Sequence, residues 1–222
     1  AVGSETLGPQ FHANMTIGVG WGATLRAFAD GMPRRQVPHA TVFAMLGSLT
    51  KRSSIDAYEA ATALAHRLHA ECFYMPGPLI CDSAETREAI EAQPIVREIE
   101  TQARKADLAI VSGGGFDSGT IRKAGLIDER QLDEVHAAGA VGNFLGYYIN
   151  SQAEVLDHPI NARVFGFPPD QLRAIPRRVM ISGGETKVPA LRAILEAGLL
   201  TEIITAQAPA RALVATPLSD KR

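Results

Sequence analysis

Residues Asp107 to Gly115 read DLAIVSGGG. Leu108 to Val111 form an apolar run with no polar alternation, the mark of a strand buried on both faces, and three glycines stop it. The motif recurs on both sides of this stretch. Upstream, Met15 to Val19 ends at Gly20-Trp21-Gly22, Ala40 to Leu46 at Gly47-Ser48, and Glu71 to Met75 at Pro76-Gly77-Pro78. Downstream, Arg178 to Ser182 breaks at Gly183-Gly184, and Glu202 to Thr205 is the last core strand.

Helical patterns alternate with these runs. One is expected over Thr24 to Met32, and another from Ser54, where Ile55, Tyr58, Ala61, Thr62, Ala65 and Leu68 share a face of period 3.6. Asp82 with Glu85 has capping-box spacing, and Pro94 suits a first helical position, with Ile95, Ile99 and Ala103 inward. Asp128 with Gln131 opens a helix closing near Gly139. Glu185 to Glu196 turns Val188, Leu191, Ile194 and Leu195 inward and stops at Gly198, and a terminal helix reaches about Val214. Alternation of this kind predicts an α/β fold, a doubly wound, mostly parallel sheet with helices on both faces. Between Ala140 and Phe167 the pattern loosens, and a small hairpin or inserted lobe is expected there.

The composition is that of one ordinary globular domain: 222 residues, 46% hydrophobic, 21% charged, net charge −2. No block of like charge suggests direct nucleic-acid contact, and the pairs Arg34-Arg35 and Arg177-Arg178 read as solvated surface. Cys72 and Cys81 form no disulfide framework, which fits a reducing, cytoplasmic setting. No run is long and apolar enough for a membrane span, and no leader pattern opens the chain. Residues 1–13 read as a linker end, 14–216 as the domain and 217–222 as a tail.

In doubly wound sheets ligands sit beyond the carboxyl ends of the strands, where the glycine-rich turns fall. A glycine loop entering a helix presents free N–H groups to an anion. The candidate ligand-binding residues are therefore Gly20, Trp21, Gly22 and Thr24, then Gly47 and Ser48, then Gly113 and Gly114, then Gly183, Gly184, Glu185 and Lys187, with Asn143 and Gln207 beside them. Asp117 is a further polar group near a glycine loop. Any one glycine could equally serve a tight turn, Trp21 could be packing or a platform for a sugar ring, and the polar groups could be caps. The first loop is a poor dinucleotide fingerprint, and Gly183 to Lys187 is too short for a nucleotide P-loop, so no cofactor is expected. Ser112 and Ser182 lie in no GxSxG elbow. His66, His69 and Cys72 read as a solvated helix end rather than a metal site, and His136 and His158 as isolated side chains.

Six motifs occur in order: GVGWGATL (Gly18 to Leu25), FYMPGP (Phe73 to Pro78), DLAIVSGGG, GAVGNFLGYYI (Gly139 to Ile149), NARVFGF (Asn161 to Phe167) and SGGETKVPALRAIL (Ser182 to Leu195). Together they resemble the sugar-binding domain of SorC/DeoR-type transcriptional regulators, over about Met15 to Ala215. The resemblance implies a fold related to ribose-5-phosphate isomerase and glucosamine-6-phosphate deaminase, and no enzymatic activity. It implies a sugar or sugar-phosphate effector, operator DNA bound through an N-terminal helix-turn-helix absent from this chain, and assembly as a homodimer or homotetramer. Gly20, Gly22 and Thr24 match the family's phosphate-proximal loop, and Gly183, Gly184 and Lys187 the loop whose lysine points at the ligand. Two positions depart from the family pattern: Asn143 stands where an acidic residue is common, and Thr205-Ala206-Gln207 where Thr-Asp-Glu is usual. The alternatives are a sugar-phosphate isomerase or deaminase with Glu185 as base, or a domain that serves oligomerisation only.

Overall fold

The computed structural model of the chain describes residues 2–48, 59–116 and 120–215. Six strands form a parallel sheet: β1 (Thr16–Val19), β2 (Thr41–Ala44), β3 (Glu71–Phe73), β4 (Leu108–Val111), β8 (Arg177–Ile181) and β9 (Glu202–Ile204), in the order β3-β2-β1-β4-β8-β9. Every residue of β4 is buried, as its unbroken apolar run demands. Successive side chains of a strand point to opposite faces, and the sheet divides two cores accordingly. Ile17, Val42, Leu108, Ile110 and Val179 enter one core with Leu25 and Phe28 of α2 (Ala23–Asp30) and Leu64 of α3 (Glu59–Leu68). Phe43, Ala109, Val111 and Met180 enter the other with Leu132 and Val135 of α7 (Glu129–Ala137) and Leu191 and Ile194 of α9 (Val188–Glu196). Helices α4 (Ala84–Glu91), α5 (Pro94–Ala103), α6 (Thr120–Lys123), α8 (Pro159–Ala162) and α10 (Gln207–Ala215) complete the set that follows the first strand among the described residues.

The loosened region is indeed a hairpin, and it recruits a strand the sequence hid. β6 (Gly142–Phe144) and β7 (Tyr147–Ile149) pair antiparallel, and β5 (Gly113–Gly115) adds to β6 as a third strand. The glycine triplet expected as a turn is thus extended backbone. The turn of the hairpin is Leu145-Gly146, with φ of 49° and 87°, the two-residue form whose twist suits a hairpin. Its tip is driven inward: a Cβ on Gly146 would stand 3.1 Å from Leu79 Cδ1, 3.1 Å from Val164 Cγ1 and 3.2 Å from Leu46 Cδ2. Around it three extended segments interlace. Gly47 N–H donates to Phe165 O (3.0 Å), Phe165 N–H to Leu79 O (2.8 Å) and Leu79 N–H to Ser48 O (2.7 Å).

Several expectations are corrected. Residues expected as a linker end instead begin with a helix, α1 (Val2–Leu7), whose Leu7 is fully buried. The Ser4 hydroxyl donates to Phe28 O at 2.8 Å, and Arg35 donates to the Gly8 carbonyl at 2.9 Å and to that of Phe11. The missed cue is that Leu7 and Phe11 are four apart and both buried, too sparse a pattern to read alone. Ser83, not Asp82, caps α4, accepting from Thr86 N–H at 3.2 Å. Ile95 is 58% exposed, because Val96 and Ala103 are the buried residues of α5. Glu185–Lys187 is a 3-10 turn preceding α9 rather than its first turn. The expected helix start at Ser54, with Ile55 and Tyr58, the side chain of Asp117, and the tail 217–222 lie outside the described residues.

Candidate functional site

From β1 the sheet grows outward through β2 to β3, then returns to place β4 on the other side of β1 and continues to β8 and β9. The direction therefore reverses between β1 and β4, which is where such sheets open a crevice at their carboxyl ends. The segment after β1 is fastened to that point. Gly20 N–H donates to Ile110 O at 2.9 Å, and a Cβ on Gly20 would lie 3.5 Å from Val111 Cα. Gly22 then starts α2 at φ 113°, a conformation that favours glycine. On the other side the Ser182 hydroxyl donates to Gly113 O at 3.2 Å, and Ser182 N–H to Ile204 O at 3.2 Å. The segments that leave β4, β8 and β9 consequently lie side by side.

Charge follows the same layout. Helices α2, α9 and α10 begin on segments leaving β1, β8 and β9, and none has an acidic residue in its first turn. Glu85 and Glu129 occupy that turn in α4 and α7, while α5 and α8, which also begin elsewhere, are acid-free, and Glu185 stands on the 3-10 turn ahead of α9. The positive ends of α2 and α10 carry no acid of their own, and that of α9 has Glu185 three residues ahead of it. The half-buried Thr24 and Lys187 add a hydroxyl and an ammonium to this end of the sheet.

The structure gathers Gly20, Gly22 and Thr24 with the segment of Gly113 and Gly114, and Gly183, Gly184 and Lys187 with the segment after β9. A Cβ on Gly183 would touch Ala206 Cβ at 4.0 Å. Asn143 joins them because β6 sets it opposite Gly114. Glu185 and Gln207 are exposed at the margin. Trp21 is packed among Phe43, Met45 and Leu46 and is 7% exposed, so its indole is core material. Gly47 serves packing too: a Cβ there would meet Gly77 O at 2.8 Å, and Ser48 N–H donates to that same carbonyl at 2.8 Å.

Four buried side-chain polar atoms lack a partner among the described residues, and two of them border this region: Asn143 Nδ2 and Thr205 Oγ1. Sequence reasoning marked Asn143 as a site residue and noted Thr205 only at the end of the last strand, as the first residue of the Thr205-Ala206-Gln207 segment. Of the arginine pairs read as solvated, Arg34 is exposed, whereas Arg35, Arg177 and Arg178 are half-buried and engaged. Arg177 forms a two-pronged pair with Glu202 at 2.6 and 2.9 Å, which raises the arginine pKa and lowers that of the carboxylate. Arg178 donates to Ile175 O at 2.6 Å and Leu199 O at 3.0 Å. Burial pushes the phenols of Tyr147 and Tyr148 well up, and Tyr147 donates to Gly166 O at 3.0 Å.

A cavity of about 730 Å³ lies away from all this, between the 152–155 turn, Pro169 to Arg173 and the end of α9. It opens at the amino ends of β8 and β9, and its Arg173 is engaged by the carbonyls of Ala197 and Gly198. The carboxyl-end crevice is the stronger candidate, since helix N-termini and glycine segments lie together there. Among the described residues no group of three or more His, Cys, Asp or Glu could hold a metal, and no helix is long and apolar enough to cross a membrane.

The family model Sugar-bind, a sugar-binding domain, matches residues 1–215. The erythritol catabolism regulatory protein EryD of Brucella abortus is 30% identical over 202 residues, 90% of this chain and 64% of that relative. The chain thus spans under two thirds of the relative's length. The structure of a DeoR family transcriptional regulator from Listeria monocytogenes matches with a TM-score of 0.88 and 22% identity, over 96% of this chain and 84% of the other. The full-length sorbitol operon regulator SorC of Klebsiella pneumoniae matches with a TM-score of 0.88 and 18% identity, over 96% and 70%. The two structures share the fold described above.

Proposed function

Because this chain belongs to the Sugar-bind family of sugar-binding domains, we propose that it is the effector-binding domain of a transcriptional regulator and holds a sugar or sugar phosphate in the β1/β4 crevice. The observation that carries the reading is the convergence of three helix N-termini with the glycine segments and Lys187 at one end of the sheet. Backbone N–H groups and the positive helix ends take the anion, while Thr24 and Asn143 meet ligand oxygens. In this reading operator DNA is bound by a helix-turn-helix preceding the domain, the protein works in the cytoplasm, and the domain assembles as a homodimer or homotetramer. The ligand biases one subunit arrangement over another to the extent that it binds them with different affinity. Catalysis is not part of this reading: Glu185, the candidate base for an isomerase, is exposed on its 3-10 turn.

The test is a titration of the purified chain with sugars, polyols and sugar phosphates, following heat and melting temperature while assaying for product. Erythritol and erythritol 4-phosphate belong in the panel, given the name of the Brucella relative. Saturable binding without product supports the effector domain; turnover would establish the enzyme instead, and silence across the panel would leave oligomerisation as the role. Lys187→Glu places a carboxylate where the anion is held. It should weaken phosphosugar binding by about 100-fold or more, while the chain still folds.

A further inference from the structure

We infer that a second copy of this chain docks on the groove between β3 and α5, with the two α5 helices antiparallel across a two-fold axis. The inference names the surface of the self-assembly in the effector-domain reading and rests on that part of it. The groove, about 370 Å³, is lined by Phe43, Phe73, Ile95, Glu98, Ile99 and Gln102. Phe73 and Ile95 are 40% and 58% exposed, two of the five exposed large apolar side chains among the described residues. Strands of a parallel sheet are ordinarily covered on both faces. The edge strand β3 is covered on one: Cys72 packs with the core under α2 and α3, whereas Glu71 and Phe73 are exposed. Phe73 stacks on Phe43 with 5.2 Å between ring centroids, so the open apolar surface continues inward to β2. Apolar side chains gathered in one groove mark an interaction site, where the same side chains scattered would not.

The charges beside the groove select a copy of the same chain. Ile95, Glu98 and Gln102 share one face of α5, and Lys105 continues that face just past the helix end. Glu98 and Lys105 are exposed, and neither joins an ion pair among the described residues. The other acid of the helix, Glu100, has Arg104 at 3.4 Å. In an isologous contact each residue meets its counterpart twice. A two-fold axis near Thr101 and Gln102 sets Glu98 of each copy against Lys105 of the other, so both pairs form together. The second copy's α5 then lies over β2 and β3, covering the face that β3 leaves open.

Sedimentation of the 222-residue chain over a range of concentrations tests this surface. The wild-type chain should self-associate. Ile95→Asp, which places a charge in the apolar seam, should weaken association by about 100-fold or more and take the assembly one step down, dimer to monomer or tetramer to dimer. Glu98→Lys and Lys105→Glu should each weaken it by about fivefold or more. The two together restore opposite charge across the axis and should return it to within about threefold of wild type. An assembly indifferent to Ile95→Asp, or single charge variants that the double does not rescue, would overturn this surface while leaving self-assembly in place. A chain monomeric at every concentration would overturn the surface and the self-assembly together, and the effector titration decides sugar binding independently of either.

Discussion

Gly142 occupies a point where three backbones converge, since a Cβ there would lie 2.6 Å from Ala190 Cβ and 2.6 Å from Gly114 O. Gly142→Ala should therefore destabilise the protein by about 1–3 kcal/mol, read as a lower urea midpoint at unchanged slope. Gly113 is less crowded, since a Cβ there would make ordinary contact with α9, 3.5 Å from Leu191 Cδ2. Sequence reasoning takes glycines as turns, because a strand glycine is recognised only by the neighbour it admits, and that neighbour is distant in sequence. A second residue-scale effect concerns alkaline pH. Burial keeps the phenols of Tyr147 and Tyr148 protonated above the ordinary 10.0, so as pH rises the unfolded chain releases these protons first. Their contribution is fully present below about pH 10 and is lost above it. Urea midpoints should fall between about pH 9 and 11, and the decline should be shallower in Tyr148→Phe.

At the scale of elements, legibility followed the locality of the cause. Strands β4 and β8 declared themselves through apolar runs, and α7 through its capping box, in which Asp128 accepts from Gln131 N–H at 2.8 Å and Gln131 accepts from Asp128 N–H at 3.0 Å. Asp128→Ala removes one half of that exchange and should cost about 1 kcal/mol in thermal or urea unfolding. Helix α1 was illegible because it is only six residues long and held by a tertiary bond from the Ser4 hydroxyl, with the Arg35 guanidinium fastening the Gly8 carbonyl just beyond it. A helix of that length owes its existence to what it packs on. The crevice was half legible for the same reason. Its glycine segments follow from strand ends, whereas the loneliness of Asn143 Nδ2 and the packing of Trp21 depend on chain arriving from elsewhere.

For the whole molecule, the sheet separates two cores that need not fail together. The core under α2 and α3 is finished by Leu7 and Phe11, with Gly3 so close that a Cβ would stand 3.2 Å from Ile181 Cδ1 and 3.3 Å from Phe28 Cδ2. Removing residues 1–10 should lower the melting temperature by roughly 6 °C or more, since burial of Leu7 alone is worth about 1.5–3 kcal/mol, and calorimetry of the truncated chain checks it.

The interlaced segments around the hairpin tip also govern the order in which the chain can become native. Met45 O accepts from Phe167 N–H at 2.7 Å and Gly47 N–H donates to Phe165 O at 3.0 Å, so these two groups after the second strand have no partner until more than a hundred further residues exist. On a ribosome the first half of the domain must wait, its strands formed but unsealed, for residues 163–167 to emerge. The slowest folding event should be this long-range closure, and substitutions at the seam should slow refolding in proportion to the stability they remove.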